Sequence, residues 1–490
     1  MLEREKGTGK FFNKIVYEKH VPREHELVRI REEIDFGFVE EETKDLYDER
    51  MGRPAWSPGI LFRMLFLEYY ANLSDVQVSE QCKYNMLYRW FVGLDVCEET
   101  PDDTTLVIFR KRLGEERFER MFRRVIEQIK SKGLLKNRYK ILDATHIVAN
   151  VAIKDTIGLL RQARERVLKR IWGRYPVCGK KLQERYEKTE TVMKVIEGEE
   201  LTKELEKTRE FLEEVRGKYG RKVDEEIEEV ERMLYGDEKI VSLIDPEARW
   251  GYKTKDKPFC GYKVHIGCDE SEIVTSLDVL SGQENEGKSE NVRKILKKEM
   301  EQGIRYEAVV ADALYDSAET RREIHRNTQQ DGERVKAYIP SRYSNKNLNR
   351  FRYDEKRDAI ICPARNISIG KSPHGGGHIY YFSVESCRNC PYKDTCPPLN
   401  EGRVRVFVSE DQKIKLMDED EERKKALKIR RTIERRFGIG KKIHGLGKAR
   451  YWSRAKVAIQ CFMTFIVMNL KRMIRLISMK KLKEEVLQAA

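Results

Sequence analysis

The sequence predicts an α/β protein with a mixed sheet core, an all-helical N-terminal domain, a helical insertion and a cysteine-rich insertion. Three observations carry that expectation. Apolar residues recur at helical spacing through residues 1–125. Short alternating runs rich in β-branched residues begin at Tyr139, Gly261, Ile273 and Glu307, with helical stretches between them. Two polar segments, 155–240 and 345–408, interrupt those runs, so the core is expected over 136–344 together with 409–490.

In chain order, Ser57 and Pro58 form an N-cap and first-turn pair before GILFRMLFLEYYANL, whose Leu61, Met64, Leu65 and Leu67 to Tyr69 keep helical spacing. Ser74 starts a second helix, Leu87 to Val92 forms a third, and Asp102–Asp103 caps a fourth, TTLVIFRKRLG. Short helices joined by short turns, the last one basic, fit a helix-turn-helix array or a plain helical bundle equally well. Tyr139-KILDATHIVA alternates as a strand with Asp143 inside it. In the charged region that follows, Leu201, Leu205, Leu212, Val215 and Tyr219 keep an approximate heptad spacing, which predicts a helical hairpin with a solvated face, an exposed insertion or a dimer arm. Gly261-YKVHIGCD and Ile273-VTSLDVL read as a β-hairpin, Ser289 to Gln302 as a helix, and Glu307-AVVADA as a strand ending in Asp312. A helix near Ser317 and a strand at Val335-KAYIP complete the sheet. Residues 345–408 read as irregular. The chain from Glu419 onward reads as helical, broken at Gly438–Gly440 and at His444–Gly447, and ends in an apolar helix, Ala455 to Ile474, that docks on the core.

Composition narrows the function classes. Of 490 residues, 40% are hydrophobic and 37% charged, which is enough apolar matter to fold and excludes disorder throughout. The longest apolar run, Val457 to Met468, is shorter than the ~18 to 20 residues that span a bilayer and contains Gln460 and Thr464. The first residues, MLEREKGTGKFFNK, lack the apolar stretch of a secretory signal, so a cytoplasmic, nucleoid-associated protein with reduced cysteines and no membrane contact is expected. The net charge is +14, and the last seventy residues alone hold twenty Lys or Arg against five Glu. Clustered positive charge is the footprint of a phosphate-backbone partner.

Asp143 and Asp312 are carboxylates in or at the end of apolar strands, where an unpaired charge is costly. Each could pair with a basic side chain or cap the next helix. Alternatively, adjacent strands bring the two together around a divalent metal, since hard cations take carboxylate oxygens and serve phosphodiester chemistry. Glu434 lies amid four Arg and a Lys in RRTIERRFGIGK, either as an i,i+4 partner of Arg430 or as a further metal ligand.

Arg430, Glu434 and Lys441 reproduce the R-x3-E-x6-K spacing of DDE transposases of bacterial insertion sequences. LDATHIVANV and VVADALYDS look like that family's two aspartate blocks, and GRPAWSPGILFRMLFLEYY with TTLVIFRKRLG is similar to its N-terminal domain. The signature's tyrosine is replaced by Leu427. The resemblance implies a ribonuclease-H-like core, a helical DNA-binding domain at 1–125, and cutting and joining of double-stranded DNA at terminal inverted repeats and in target DNA. It further implies Mg²⁺ or Mn²⁺ held by Asp143, Asp312 and Glu434, and a homodimer assembled on DNA. Arg430, Lys441, Lys448, Arg450, Arg454 and Lys456 are the expected DNA-contacting set. The rivals are a catalytically inert DNA-binding protein and a helical scaffold.

Cys362, Cys387, Cys390 and Cys396 form a C-x24-C-x2-C-x5-C set, which fits a structural Zn²⁺ site or free core thiols. His146, three residues from Asp143, falls on the opposite face by period-2 alternation and reads as structural. GIGKKIHGLGK lacks the strand–loop–helix setting of a nucleotide loop and reads as a turn near DNA backbone.

Overall fold

The computed structural model describes residues 10–47, 55–151, 156–187, 197–235, 240–254, 257–327, 332–341, 351–393, 396 and 404–489. Residues 1–9, 345–350 and Pro397, which entered the sequence reading, lie outside them.

Before the first strand come α1 (Lys10–His20), α2 (Glu26–Glu33), α3 (Phe38–Thr43), α4 (Pro58–Tyr70), α5 (Asp75–Tyr84), α6 (Met86–Val92) and α7 (Asp103–Ser131). Local chemistry sets their ends. Ser74 and Gln77 form a reciprocal capping box on α5, Asn85 caps α6, and Gly93 at φ +88° closes it. Asp102 caps α7 by accepting from the Thr105 N–H. That helix runs 29 residues, well past the predicted segment, with a kink at Gly114, where φ is +67°.

The strand β1 (Tyr139–Val148) is followed by α8 (Thr156–Trp172), α9 (Pro176–Tyr186), α10 (Glu197–Val215) and α11 (Arg221–Tyr235). The predicted hairpin is therefore a four-helix unit, packed on α8 around a separate apolar core that includes Ala163, Val167, Phe211, Leu212 and Ile227. Heptad spacing misled because Leu205 is exposed, and the buried stripe is set by packing on α8. Arg164, fully buried, ties the unit together through Glu187 and Glu204.

The sheet continues with β2 (Arg249–Thr254), β3 (Lys257–Asp269) and β4 (Val274–Ser281), then α12 (Ser289–Glu301), β5 (Ala308–Val310), α13 (Ala318–His325) and β6 (Lys336–Tyr338). Across the sheet, β4, β3, β1, β5 and β6 are neighbours in that order, and β2 pairs with the first residues of β3. The β1/β3 and β3/β4 pairs are antiparallel, whereas β1/β5 and β5/β6 are parallel. One consequence governs the site. Pairing with β5 covers only Tyr139 to Ile141, so from Leu142 onward β1 has no strand on that side among the described residues.

The described residues of the cysteine segment, expected to be irregular, form regular elements. It holds β7 (Arg352–Asp354), β8 (Ala359–Ile361), β9 (Gly370–His374), β10 (Gly377–Tyr381), α14 (Val384–Arg388) and β11 (Arg405–Ser409), around a third core of Phe351, Ile360, Tyr380, Phe382 and Val408. Its strands are three to five residues long, too short for periodicity to show.

The C-terminal part comprises α15 (Glu410–Leu416), α16 (Glu421–Ile429), α17 (Arg431–Ile443) and α18 (Arg454–Ala489). Contrary to expectation, α17 runs unbroken through Gly438 and Gly440; glycine costs only about 1 kcal/mol inside a helix, and Gly440 lets Leu446 pack close. The expected break at His444–Gly447 is present. The turn after α17 occupies the open side of β1: Val148 donates to the Gly447 carbonyl at 3.0 Å, and Ala449 donates to the Val148 carbonyl at 2.8 Å. Helix α18 is the one described helix long and apolar enough to cross a membrane, and its apolar stretch is buried in the protein's own core. That core runs without interruption from Leu27 on α2 to Ile474 on α18.

Candidate active site

The ends of two parallel strands place the two aspartates. Asp143 is the second residue beyond the β1/β5 pairing, and Asp312 the second beyond β5. Both carboxylates thus sit just past the carboxyl end of the parallel β1/β5 pairing, the side on which open α/β sheets bind ligands. Asp312 caps a short 3₁₀ turn by accepting from the Leu314 N–H at 2.8 Å, and Asp143 accepts from the Ala144 N–H at 2.8 Å. Burial pushes the Asp143 carboxyl up to about 7, against the Ala144 N–H; the Asp312 charge adds to the rise, Arg430 opposes it and Glu286 adds more.

Helix α17 supplies the third group. Arg430 lies 3.7 Å from Asp143 Oδ2 and 3.4 Å from Glu434 Oε1, so it stands between the two acids. The Glu434 side chain is 61% exposed. The i,i+4 pair anticipated for Arg430 and Glu434 is therefore present. Among the described residues no three acidic, His or Cys side chains are close enough together to hold a metal. Further along α17, Lys441 Nζ lies 3.5 Å from both ring nitrogens of His146. Leu427, at the signature's tyrosine position, packs in a small cluster with Tyr139, Val310 and Tyr338.

Two side chains within electrostatic reach of the acids escaped sequence reasoning. Glu286 is almost buried, bonds Lys263 at 2.8 Å and acts electrostatically on Asp143. Tyr315 is fully buried with its hydroxyl unpartnered among the described residues, and its phenol is raised by burial, then by Asp143, Glu286 and Asp312. The only available signal for Glu286 was an acidic loop, QENEG, directly after a strand.

The expected DNA-contacting set divides. Lys448, Arg454 and Lys456 are exposed. Arg450 is turned inward: it bonds Glu68 at 2.8 Å, the Leu73 carbonyl at 2.7 Å and Asn72 at 2.6 Å, clamping α4 to the turn before α18.

Comparison with family models returns two matches: a transposase domain (DUF772) over residues 15–112, and a transposase DDE domain over residues 361–474. These matches support a DDE transposase of an insertion sequence. Searches of curated proteins and of solved structures gave no match. The DDE match contains Arg430, Glu434 and Lys441, takes in Cys362, Cys387, Cys390 and Cys396 and most of α18, and leaves both aspartates outside its span. The helical match ends inside α7.

DDE transposases use divalent metals such as Mg²⁺. The donor set of this transposase suits a hard cation: Asp143 and Asp312 are oxygen donors whose mutual repulsion, with Glu286 adding to it, is opposed by the Arg430 guanidinium. In the cysteine segment, burial raises the Cys387 thiol, and Cys362, Cys390 and Cys396 add to the rise, so the other three sulfurs lie within electrostatic reach of Cys387. As placed, they do not form a ligand group among the described residues.

Proposed function

We propose that this transposase cleaves and joins DNA strands at the terminal inverted repeats of its element, with Asp143, Asp312 and Glu434 as the metal-binding acids of a ribonuclease-H-like core. The observation that supports the reading is Arg430, 3.7 Å from Asp143 and 3.4 Å from Glu434, with the Asp312 charge acting on Asp143. The strand order with its parallel and antiparallel neighbours supports the ribonuclease-H-like assignment. Mg²⁺ or Mn²⁺ held there supplies Lewis-acid activation of the phosphodiester and of the attacking water or 3′-hydroxyl. The protein's own contribution is positional. The notch that β1 leaves beyond β5 admits a DNA strand, and Arg430 sets a guanidinium beside the acids to balance phosphate charge. Lys441, Lys448, Arg454 and Lys456 extend the positive surface. Cys362, Cys387, Cys390 and Cys396 are proposed to bind a structural Zn²⁺, to be checked by elemental analysis of the purified protein.

The second reading is an inert DNA-binding protein; on its side stands the pairing of Glu434 with Arg430 rather than with the aspartates. One experiment separates them. Asp143→Asn, Asp312→Asn and Glu434→Gln should each abolish Mg²⁺-dependent cleavage of inverted-repeat DNA while DNA binding persists, because an amide keeps the shape but not the charge. Wild-type protein that binds the repeats and never cuts them with either metal would favour the inert binder.

A further inference from the structure

Beyond the acids, the far half of β1 carries a cluster of cations that the chemistry of cleavage does not use. Lys441 Nζ, half-buried, rests 3.5 Å from the His146 ring nitrogens, and the His146 ring packs against Phe259 with centroids 5.0 Å apart. Lys253 joins them from β2. The register of β2 against β3 slips between Tyr252 and Thr254, so Lys253 is the unpaired residue of a bulge, a device that re-aims a side chain. Its charge bears on both partners: burial and then Lys253 lower Lys441 to about 8, and burial, Lys441 and Lys253 lower His146 to about 4. Among the described residues no carboxylate pairs with Lys253, Lys441 or Lys448. Lys441 is thus a half-buried cation beside a neutral imidazole and within the field of a second cation, and it lacks the counter-charge that burial ordinarily demands.

Position adds direction. At about 3.3 Å per residue, His146 lies ~10 Å along β1 from Asp143, which is the axial rise of about three nucleotides. Lys448, bridged to Val148, comes next along the same edge. Trp452, half-exposed and anchored by its indole N–H on the Asn150 carbonyl, lies beyond.

We propose that Lys441, Lys253 and His146 form a cradle for the sugar–phosphate backbone of the DNA strand that leaves the cleavage site along the far half of β1, with Lys448 continuing it. The proposal rests on the active-site reading above for where the cleaved phosphodiester lies. Lys253 and Lys441 contact phosphate, and His146 is a positioning residue whose ring nitrogen accepts from the Lys441 ammonium.

The test is binding of a labelled linear DNA duplex by the full chain across a salt series. Lys253→Ala and Lys441→Ala should each reduce the slope of log affinity against log salt by up to about 0.9. His146→Gln, which keeps an acceptor, should bind like wild type, and His146→Phe, which keeps only the packing on Phe259, should bind more weakly. Lys253 is exposed, so its substitution spares the fold; an unchanged slope for Lys253→Ala overturns the cradle. His146→Phe binding like wild type would remove His146 from it. Lys253→Cys carrying an aryl-azide crosslinker should label the strand within about three nucleotides of the cut, and labelling elsewhere would refute the path. If Asp143→Asn still cuts, the active-site reading fails while the salt slopes stand; if Asp143→Asn is inactive and the slopes are unchanged, the cradle alone fails.

Discussion

Asp143 shows how burying a single carboxyl group works against stability. Its carboxyl is raised to about 7 by burial, with the Asp312 and Glu286 charges adding, whereas an unfolded aspartate titrates near 3.9. The folded state therefore holds the proton more tightly. The stability this contributes is complete below about pH 4 and is lost as pH rises through about 7, above which the ionised group opposes folding. Asp143→Asn should consequently leave stability unchanged near pH 4 and raise the unfolding free energy at pH 8 to 9 by up to ~4 kcal/mol, read by chemical denaturation. Mg²⁺ should raise the melting temperature of the wild type at pH 8 and leave that of Asp143→Asn unmoved. A variant no more stable than wild type at high pH would show the carboxylate to be better solvated than its burial implies.

At the scale of elements, polar side chains latch helices whose apolar faces alone leave their angles open. Glu68 on α4 meets Arg110 of α7 at 3.2 Å and Arg450 before α18 at 2.8 Å, and Arg110 lies against the Tyr451 ring. Removing one member of a buried ionic group strands the others, so Glu68→Ala should cost ~3 to 5 kcal/mol. Arg450→Ala should likewise destabilise the protein while leaving the salt dependence of DNA binding unchanged, the opposite of what an Arg on phosphate would do. Gln460 and Asn469, which interrupt the apolar sequence of α18, have comparable roles. Gln460 accepts from the Arg450 N–H and donates to the Gly445 and Lys448 carbonyls, and Asn469 pairs with both backbone groups of Val274 on β4. The polar residues that argue against a membrane span are thus those that fasten the helix to the sheet.

Across the whole molecule, the N-terminal helices and the sheet share one apolar core through α18, whereas the four helices between β1 and β2 close a core of their own. Regions with separate cores unfold separately. Replacing residues 156–235 with a short Gly/Ser linker should leave the melting transition of the remainder within a few degrees of wild type and preserve DNA binding. Expressing residues 1–125 alone should instead give a poorly structured chain, since Phe122 would lose Phe462 and the rest of α18. Loss of all cooperative unfolding on replacing 156–235 would show that unit to be integral to the core.

The sequence by itself determined what depends on neighbours along the chain. The N-caps at Ser74 and Asp102, the β3–β4 hairpin, the strand around Asp143, the aspartate after β5 and the Arg430–Glu434 pair were all legible, because capping, alternation and i,i+4 contact act within a few residues. Tertiary structure decided the rest. That β1 outruns β5 and exposes an edge follows from strand lengths that pairing selects. Alternation put His146 on the face away from Asp143, but at an open edge α17 reaches side chains of both faces, so His146 meets Lys441, 295 residues away. Basic residues that look alike in a charge count were sorted by where the chain brought a carboxylate: Arg450 found Glu68 and turned inward, and Lys448 found none among the described residues and remains at the surface. Long-range electrostatic partners leave no trace in local spacing, because the charge that selects them lies hundreds of residues away.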